Sequence, residues 1–131
     1  MDEMKISFPG GIKVNADYKG FSIATDQPKE EGGEDSAPEP YDLFLASIGT
    51  CAGIYVLSFC RERDLDIEGL RMSLQAEKDE KTRLFSKVRL NIHLPPGFPE
   101  KYAKAVKRAA GLCTVKRSLA DPPDIEVRVD R

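Results

Sequence analysis

Polar and apolar residues alternate near the start of the chain. Ile12, Val14, Ala16 and Tyr18 interleave with Lys13, Asn15, Asp17 and Lys19, the period of two expected of a half-buried strand. Residues 5–8 alternate in the same way before the turn at Pro9-Gly10-Gly11, and Phe21, Ile23 and Thr25 do so after Gly20. Residues 1–26 therefore predict a small antiparallel β-meander. The pattern stops over residues 27–40, a long polar stretch of Gln, Glu, Gly and Pro. It reads either as a solvated, partly disordered connector or as a cover for a site. The period then changes. Leu43, Phe44, Leu45, Ala46, Ile48, Ala52, Ile54, Tyr55, Val56, Leu57 and Phe59 follow with no proline among them. The run is too long for a strand and apolar on most faces. With Pro40 suited to the first helical position, it predicts a central buried helix over residues 41–64. Gly49 and Gly53 lower the intrinsic stability of that helix and suit a close approach by another helix.

Alternation returns at Leu70, Met72, Leu74 and Ala76, and again at Leu84, Val88, Leu90 and Ile92, with Asp79-Glu80-Lys81-Thr82 between them. This is the signature of a β-hairpin. Tyr102, Val106, Ala109 and Ala110 then recur at helical spacing across residues 99–111, with lysines and Arg108 on the polar side. Residues 113–120 predict a second short helix after the Gly111 break, and Ile125, Val127 and Val129 predict a last strand. Residues 69–131 thus read ββααβ. Strands in runs, with helices set apart, indicate an α+β fold, and 131 residues fit a single domain spanning 1–131.

Composition narrows the functional classes. The chain is 40% hydrophobic and 32% charged, with a net charge of −2. It carries no basic stripe of the kind that tracks a phosphate backbone, so nucleic acid is not an expected partner. The acidic start, Met1-Asp2-Glu3-Met4, does not resemble a secretory leader. No unbroken apolar run reaches about eighteen residues, so no membrane partner is expected and the expected compartment is the cytoplasm. Three cysteines, one histidine and no CxxC pair suit reduced thiols rather than a disulfide scaffold or a zinc site. No metal and no cofactor are expected.

The thiols carry the candidate chemistry. Cys51 lies mid-helix, where a cysteine is either a small hydrophobe in the packing or a reactive group. Cys60 lies nine residues on, and nine steps of about 100° put it on the opposite side of the helix. That leaves Cys113 as the partner open to Cys51. A helix starting at Cys113 puts partial positive charge near its sulfur, with Lys116 and Arg117 one turn on. The other reading of Cys113 is a core residue at a helix junction.

Residues 40–51, Pro-Tyr-Asp-Leu-Phe-Leu-Ala-Ser-Ile-Gly-Thr-Cys, are followed 62 residues later by Cys113-Thr114-Val115-Lys116-Arg117-Ser118-Leu119. Together they resemble the OsmC/Ohr family, in which a proline–acidic–Leu helix start leads to one cysteine and a second cysteine opens a short helix. The element order is similar over nearly the whole chain. The resemblance implies an intertwined homodimer in which antiparallel sheets wrap two long central helices. It also implies reduction of organic hydroperoxides, with Cys51 as the peroxidatic thiol, Cys113 as the resolving one and an external dithiol as reductant. Two departures accompany it. Tyr41 stands where the family's activating glutamate stands, ten residues before Cys51, and Asp42 lies on the opposite side of a regular helix from Cys51. Residues 1–60 contain no arginine, and lysine does not reproduce a bidentate guanidinium. Tyr41 is accordingly a candidate to contact substrate or thiolate, or else an aromatic at the dimer interface. The departures keep a second function open, a family member that binds a small apolar molecule or senses redox state. A third is a structural domain with core cysteines.

Overall fold

The computed structural model describes residues 2–131. Its elements are β1 (Lys5–Gly10), β2 (Lys13–Tyr18), β3 (Phe21–Thr25), α1 (Pro40–Glu62), β4 (Arg71–Lys78), β5 (Phe85–His93), α2 (Ala103–Gly111) and α3 (Thr114–Ala120). This is an α+β architecture with two small antiparallel sheets and one long helix. The chain forms two compact units, one ending at Ala46 and one spanning Ser47–Arg131, and α1 passes from the first into the second.

In the first unit β1, β2 and β3 form an antiparallel meander in that order. The register Ile6↔Ala16↔Ile23 and Tyr18↔Phe21 gathers these apolar side chains on one face, because residues directly opposite share a face. Ile6, Phe21 and Ile23 are nevertheless exposed, as is Phe8. The polar segment after β3 is not the loose connector that its composition suggests. Asp26, 1% exposed, directly follows β3, and its carboxylate accepts from Gln27 N (2.8 Å), Glu34 N (3.2 Å), Ser36 N (3.1 Å) and Ser36 Oγ (2.6 Å). Backbone bonds from Asp26 N to Pro38 O and from Asp35 N to Gln27 O close the segment on itself, around one short 3-10 turn at Lys29–Glu31. Four bonds to one carboxylate favour its charged form. The Ser36 hydroxyl contributes most, and Asp26 is held at about 2.

The first turn of α1 carries one half of a capping box: the Asp42 carboxylate, third in the helix, accepts from Glu39 N at 3.0 Å, while the Glu39 carbonyl receives the amides of Asp42 and Leu43. At the other end Asp64 turns left-handed (φ 51°). Leu65 N bonds Cys60 O and Asp64 N bonds Arg61 O, the pair of bonds that defines a Schellman stop. The helix therefore ends at Glu62, two residues short of the expected boundary.

In the second unit β4 and β5 form the expected hairpin, in register from Arg71↔His93 to Lys78↔Phe85. Met72 and Leu74 point inward along β4. Gly49 and Gly53 of α1 face this row: a Cβ at either would meet Leu74 or Met72 at ordinary contact distance. These glycines lie against a sheet rather than another helix. The core joins Ala52, Val56 and Cys60 of α1 to Val106, Ala110 and Cys113. Only one stripe of α1 is buried, Ile48, Ala52, Val56 and Cys60, the i, i+4 row of a single face, while Ile54 is 52% exposed. The expectation of a helix buried on most faces is thus not met within one chain. By length and composition α1 passes the test for a membrane span, with a mean hydropathy of 1.9, although core helices of water-soluble proteins pass it too.

The expected last strand is absent among the described residues. Residues 122–131 carry no ladder, and Ile125, Val127 and Val129 are more than 80% exposed. Alternation supplies a strand's side-chain pattern, but its hydrogen bonds must come from a neighbour.

Candidate functional site

The second unit brings the two helices that carry Cys51 and Cys113 onto one apolar cluster. Cys51 is half-buried and packs against it from α1, whereas Cys113 is part of it at 1% exposure. Cys113 occupies the cap position of α3, with extended backbone, and its sulfur accepts from Lys116 N at 3.4 Å. All three cysteines are free thiols. Cys60 is fully buried on the Ala52–Val56 stripe. Burial pushes its thiol up, and Arg63 offsets this only in part. The helical phase that separates Cys60 from Cys51 is therefore realised as core against partial access.

A polar network sits between the two helices beside the thiols. Tyr55, one turn after Cys51, shares a 2.9 Å hydrogen bond with Thr114 Oγ1. Arg117 donates through Nη2 to the Tyr55 hydroxyl and to Thr114 Oγ1, each at 3.4 Å, and through Nε to Leu112 O at 2.9 Å. The Thr114 bond, then the Arg117 bond and charge, draw the Tyr55 phenol below its ordinary value. Burial and the negative charge of an ionised Cys51 act the other way. Sequence reasoning misses this set. It attaches Arg117 to Cys113 by proximity along α3, whereas the guanidinium reaches across to α1. The one signal in the sequence is the i, i+4 spacing of Cys51 and Tyr55, which puts two side chains on one helix face.

The Tyr41 and Asp42 positions are occupied locally. The Tyr41 ring stacks on Phe44 at 5.5 Å between centroids, and the Asp42 carboxylate serves the helix cap described above. Beside Tyr55 an open groove of about 330 Å³ is lined by Ile54, Tyr55, Ser58, Phe59, Ala109 and Leu112, with Glu62 and Arg63 further along α1. The Arg63 guanidinium lies over the Phe59 ring at 3.7 Å, and Tyr102 meets the same ring edge-on at 5.8 Å. Among the described residues no group of three or more His, Cys, Asp or Glu side chains is placed to hold a metal ion.

Comparison with known proteins gives one family and one fold. The family model described as OsmC-like protein matches residues 33–128. No curated protein matches the chain. Among solved structures, a Psychrobacter arcticus protein named for osmotic stress induction and detoxification response superposes with a TM-score of 0.79 at 24% identity, over 90% of this chain and 88% of that one. A Legionella pneumophila OsmC named for organic hydroperoxide resistance gives 0.62 at 17% identity, over 91% and 88%. A Vibrio cholerae protein also named for organic hydroperoxide resistance, with captopril in one of its active sites, gives 0.57 at 20% identity, over 95% and 87%.

Proposed function

The chain belongs to the OsmC-like protein family, and on that footing we propose that it reduces organic hydroperoxides with Cys51 and Cys113 as a redox pair. The observation that carries the proposal is the arrangement of the thiols. A partly accessible Cys51 packs on the cluster that holds Cys113, the buried cap residue of α3, and a cation–phenol network stands one helical turn away. In the reaction, the Cys51 thiolate attacks the outer peroxide oxygen and the O–O bond breaks. The alkoxide takes up a proton and leaves as the alcohol, and Cys51 becomes a sulfenic acid. The Cys113 thiol then displaces water from that sulfur to close a disulfide. An external dithiol reopens it by exchange and is itself oxidised.

The working unit in this proposal is a homodimer. Phe8 and Phe21 on the meander, Ile54 on α1, and Ile125, Val127 and Val129 on the tail are large apolar side chains left in water by one chain. Such surface calls for a covering partner, and a second copy offers the tail a sheet edge to pair with. Light scattering should give twice the chain mass.

Turnover of cumene or t-butyl hydroperoxide with a dithiol tests the chemistry. It should vanish in Cys51→Ser and stall at a trappable Cys51 sulfenic acid in Cys113→Ser, while Cys60→Ala leaves it intact. No turnover of any alkyl hydroperoxide by the wild type rejects the proposal. The open groove beside Tyr55 supports a second reading, a binder of a small apolar molecule. Native mass spectrometry that finds a retained ligand on a protein without turnover would select it.

A further inference from the structure

Residues 1–60 hold no arginine, yet a guanidinium stands beside the reactive helix. It comes from the far end of the chain. Arg117 is fixed at three points, to Leu112 O, Thr114 Oγ1 and the Tyr55 hydroxyl. This is the fork geometry that arginine offers and lysine does not. Its contact on α1 is the residue one turn after Cys51. Long side chains on a helix lean toward its N-terminus, over the preceding turn, so the Tyr55 ring lies on the Cys51 side of its own backbone.

The hydrogen-bond valences of the network permit a proton aimed in this direction. Thr114 Oγ1 accepts from Arg117 and lies 2.9 Å from the phenol oxygen, and either hydroxyl of that pair can be the donor. When Thr114 is the donor, it and Arg117 fill the two acceptor positions of the Tyr55 oxygen, which keeps its own proton to give. In that arrangement the phenol proton is left for the Cys51 side of α1, one turn back.

We propose that Arg117 is a positioning residue for the Cys51 thiolate, acting through the Tyr55 hydroxyl with Thr114 as brace. The inference rests on Cys51 being the reactive thiol of the proposed function. The arrangement puts this cation on α3, whose cap residue is Cys113. An ionised Cys51 opposes ionisation of Tyr55, but the Thr114 and Arg117 bonds outweigh it and draw the phenol down overall. Glu62 and Arg63 share the groove with Tyr55, and on the α3 side the Lys116 amide bonds Cys113 Sγ while the Lys116 ammonium lies toward Gly111.

The test is the pH profile of Cys51 alkylation by iodoacetamide, read by peptide mass spectrometry in the full chain. A partly solvent-screened cation shifts a thiol–thiolate equilibrium modestly, so Arg117→Met should slow alkylation at pH 7 by about three- to ten-fold and move the profile to higher pH. Arg117→Lys should fall between, because it keeps charge without the fork. Tyr55→Phe should reproduce most of the Arg117→Met effect, and Arg117→Met added to Tyr55→Phe should do little more. Profiles unchanged in both Tyr55→Phe and Arg117→Met overturn the proposal. So does a lowered thermal midpoint with an unchanged profile, since that is what a purely structural brace gives. Hydroperoxide turnover in the wild type separates the two levels. Turnover with unresponsive profiles rejects the Arg117 role alone, and responsive profiles without turnover reject the peroxidase reading alone.

Discussion

The three thiols should differ in reactivity by orders of magnitude, and the structure sets the scale. Cys60 is fully buried among Ala52, Val56 and Val106, which are 0%, 0% and 1% exposed. A thiol reagent reaches it only if the end of α1 parts from α2. That opening returns two valine side chains and a cysteine to water, at a cost of about 4–5 kcal/mol from the usual transfer values. Each 1.4 kcal/mol is a factor of ten, so opening-limited modification of Cys60 should run about a thousand-fold slower than that of an accessible thiol. The raised thiol of Cys60 slows it further, because only the thiolate reacts. Cys51 is half-buried and needs no such opening. A stopped-flow reaction of the reduced chain with a chromogenic disulfide, followed by differential isotope labelling and peptide mapping, reads the sites separately. One fast equivalent at Cys51 is expected, with Cys60 and Cys113 slow. A Cys60 rate within ten-fold of the Cys51 rate would refute the reading of this half of α1 as sealed core. A Cys51 as slow as Cys60 would refute its accessibility.

Other outcomes follow from single contacts. Val56→Ala removes two methyl groups from a fully buried site, and denaturant unfolding should show a loss of about 2–3 kcal/mol. Asp26 is held at about 2 against an ordinary 3.8, so its contribution to stability is complete above about pH 4 and is lost as pH falls toward 2. Thermal midpoints between pH 6 and pH 2 should fall across that window, and less steeply in Ser36→Ala, which lacks the hydroxyl that contributes most. Gly33 leaves no room for a side chain, because a Cβ there would collide with the Gln27 carbonyl. Gly33→Ala should therefore raise amide exchange at Glu34 and Ser36, the donors to Asp26, without touching the β4–β5 hairpin.

Elements whose stabilising partners are close in sequence are legible in the order of residues alone. The hairpin is readable because β4 and β5 are joined by a short turn, with Asp79 accepting from Lys81 N and Thr82 N, and because their alternation sets the inward row. The helix from Pro40 is readable from proline at its first position and a long apolar run, and the opposed phases of Cys51 and Cys60 from helical geometry alone. The family is readable from two short segments, residues 40–51 and 113–119, both contained in the family match over residues 33–128.

What stays hidden depends on partners far away in sequence or outside the chain. The polar stretch after β3 looks loose because its order comes from one buried carboxylate, and composition does not show that Asp26 gathers Gln27, Glu34 and Ser36. Ile125, Val127 and Val129 have a strand's alternation and no ladder, since pairing requires a second strand at the right place. The bond from Arg117 to Tyr55, across 62 residues, leaves no local trace. Spacing along one helix orders side chains on that helix, and only the packing of α3 against α1 decides which of them meet a cation. The sequence by itself therefore determined most of the secondary elements, the family and the two candidate thiols. The tertiary structure decided that Arg117 of α3 meets Tyr55 of α1, because a hydrogen-bond network is a property of distances between elements rather than of order within one.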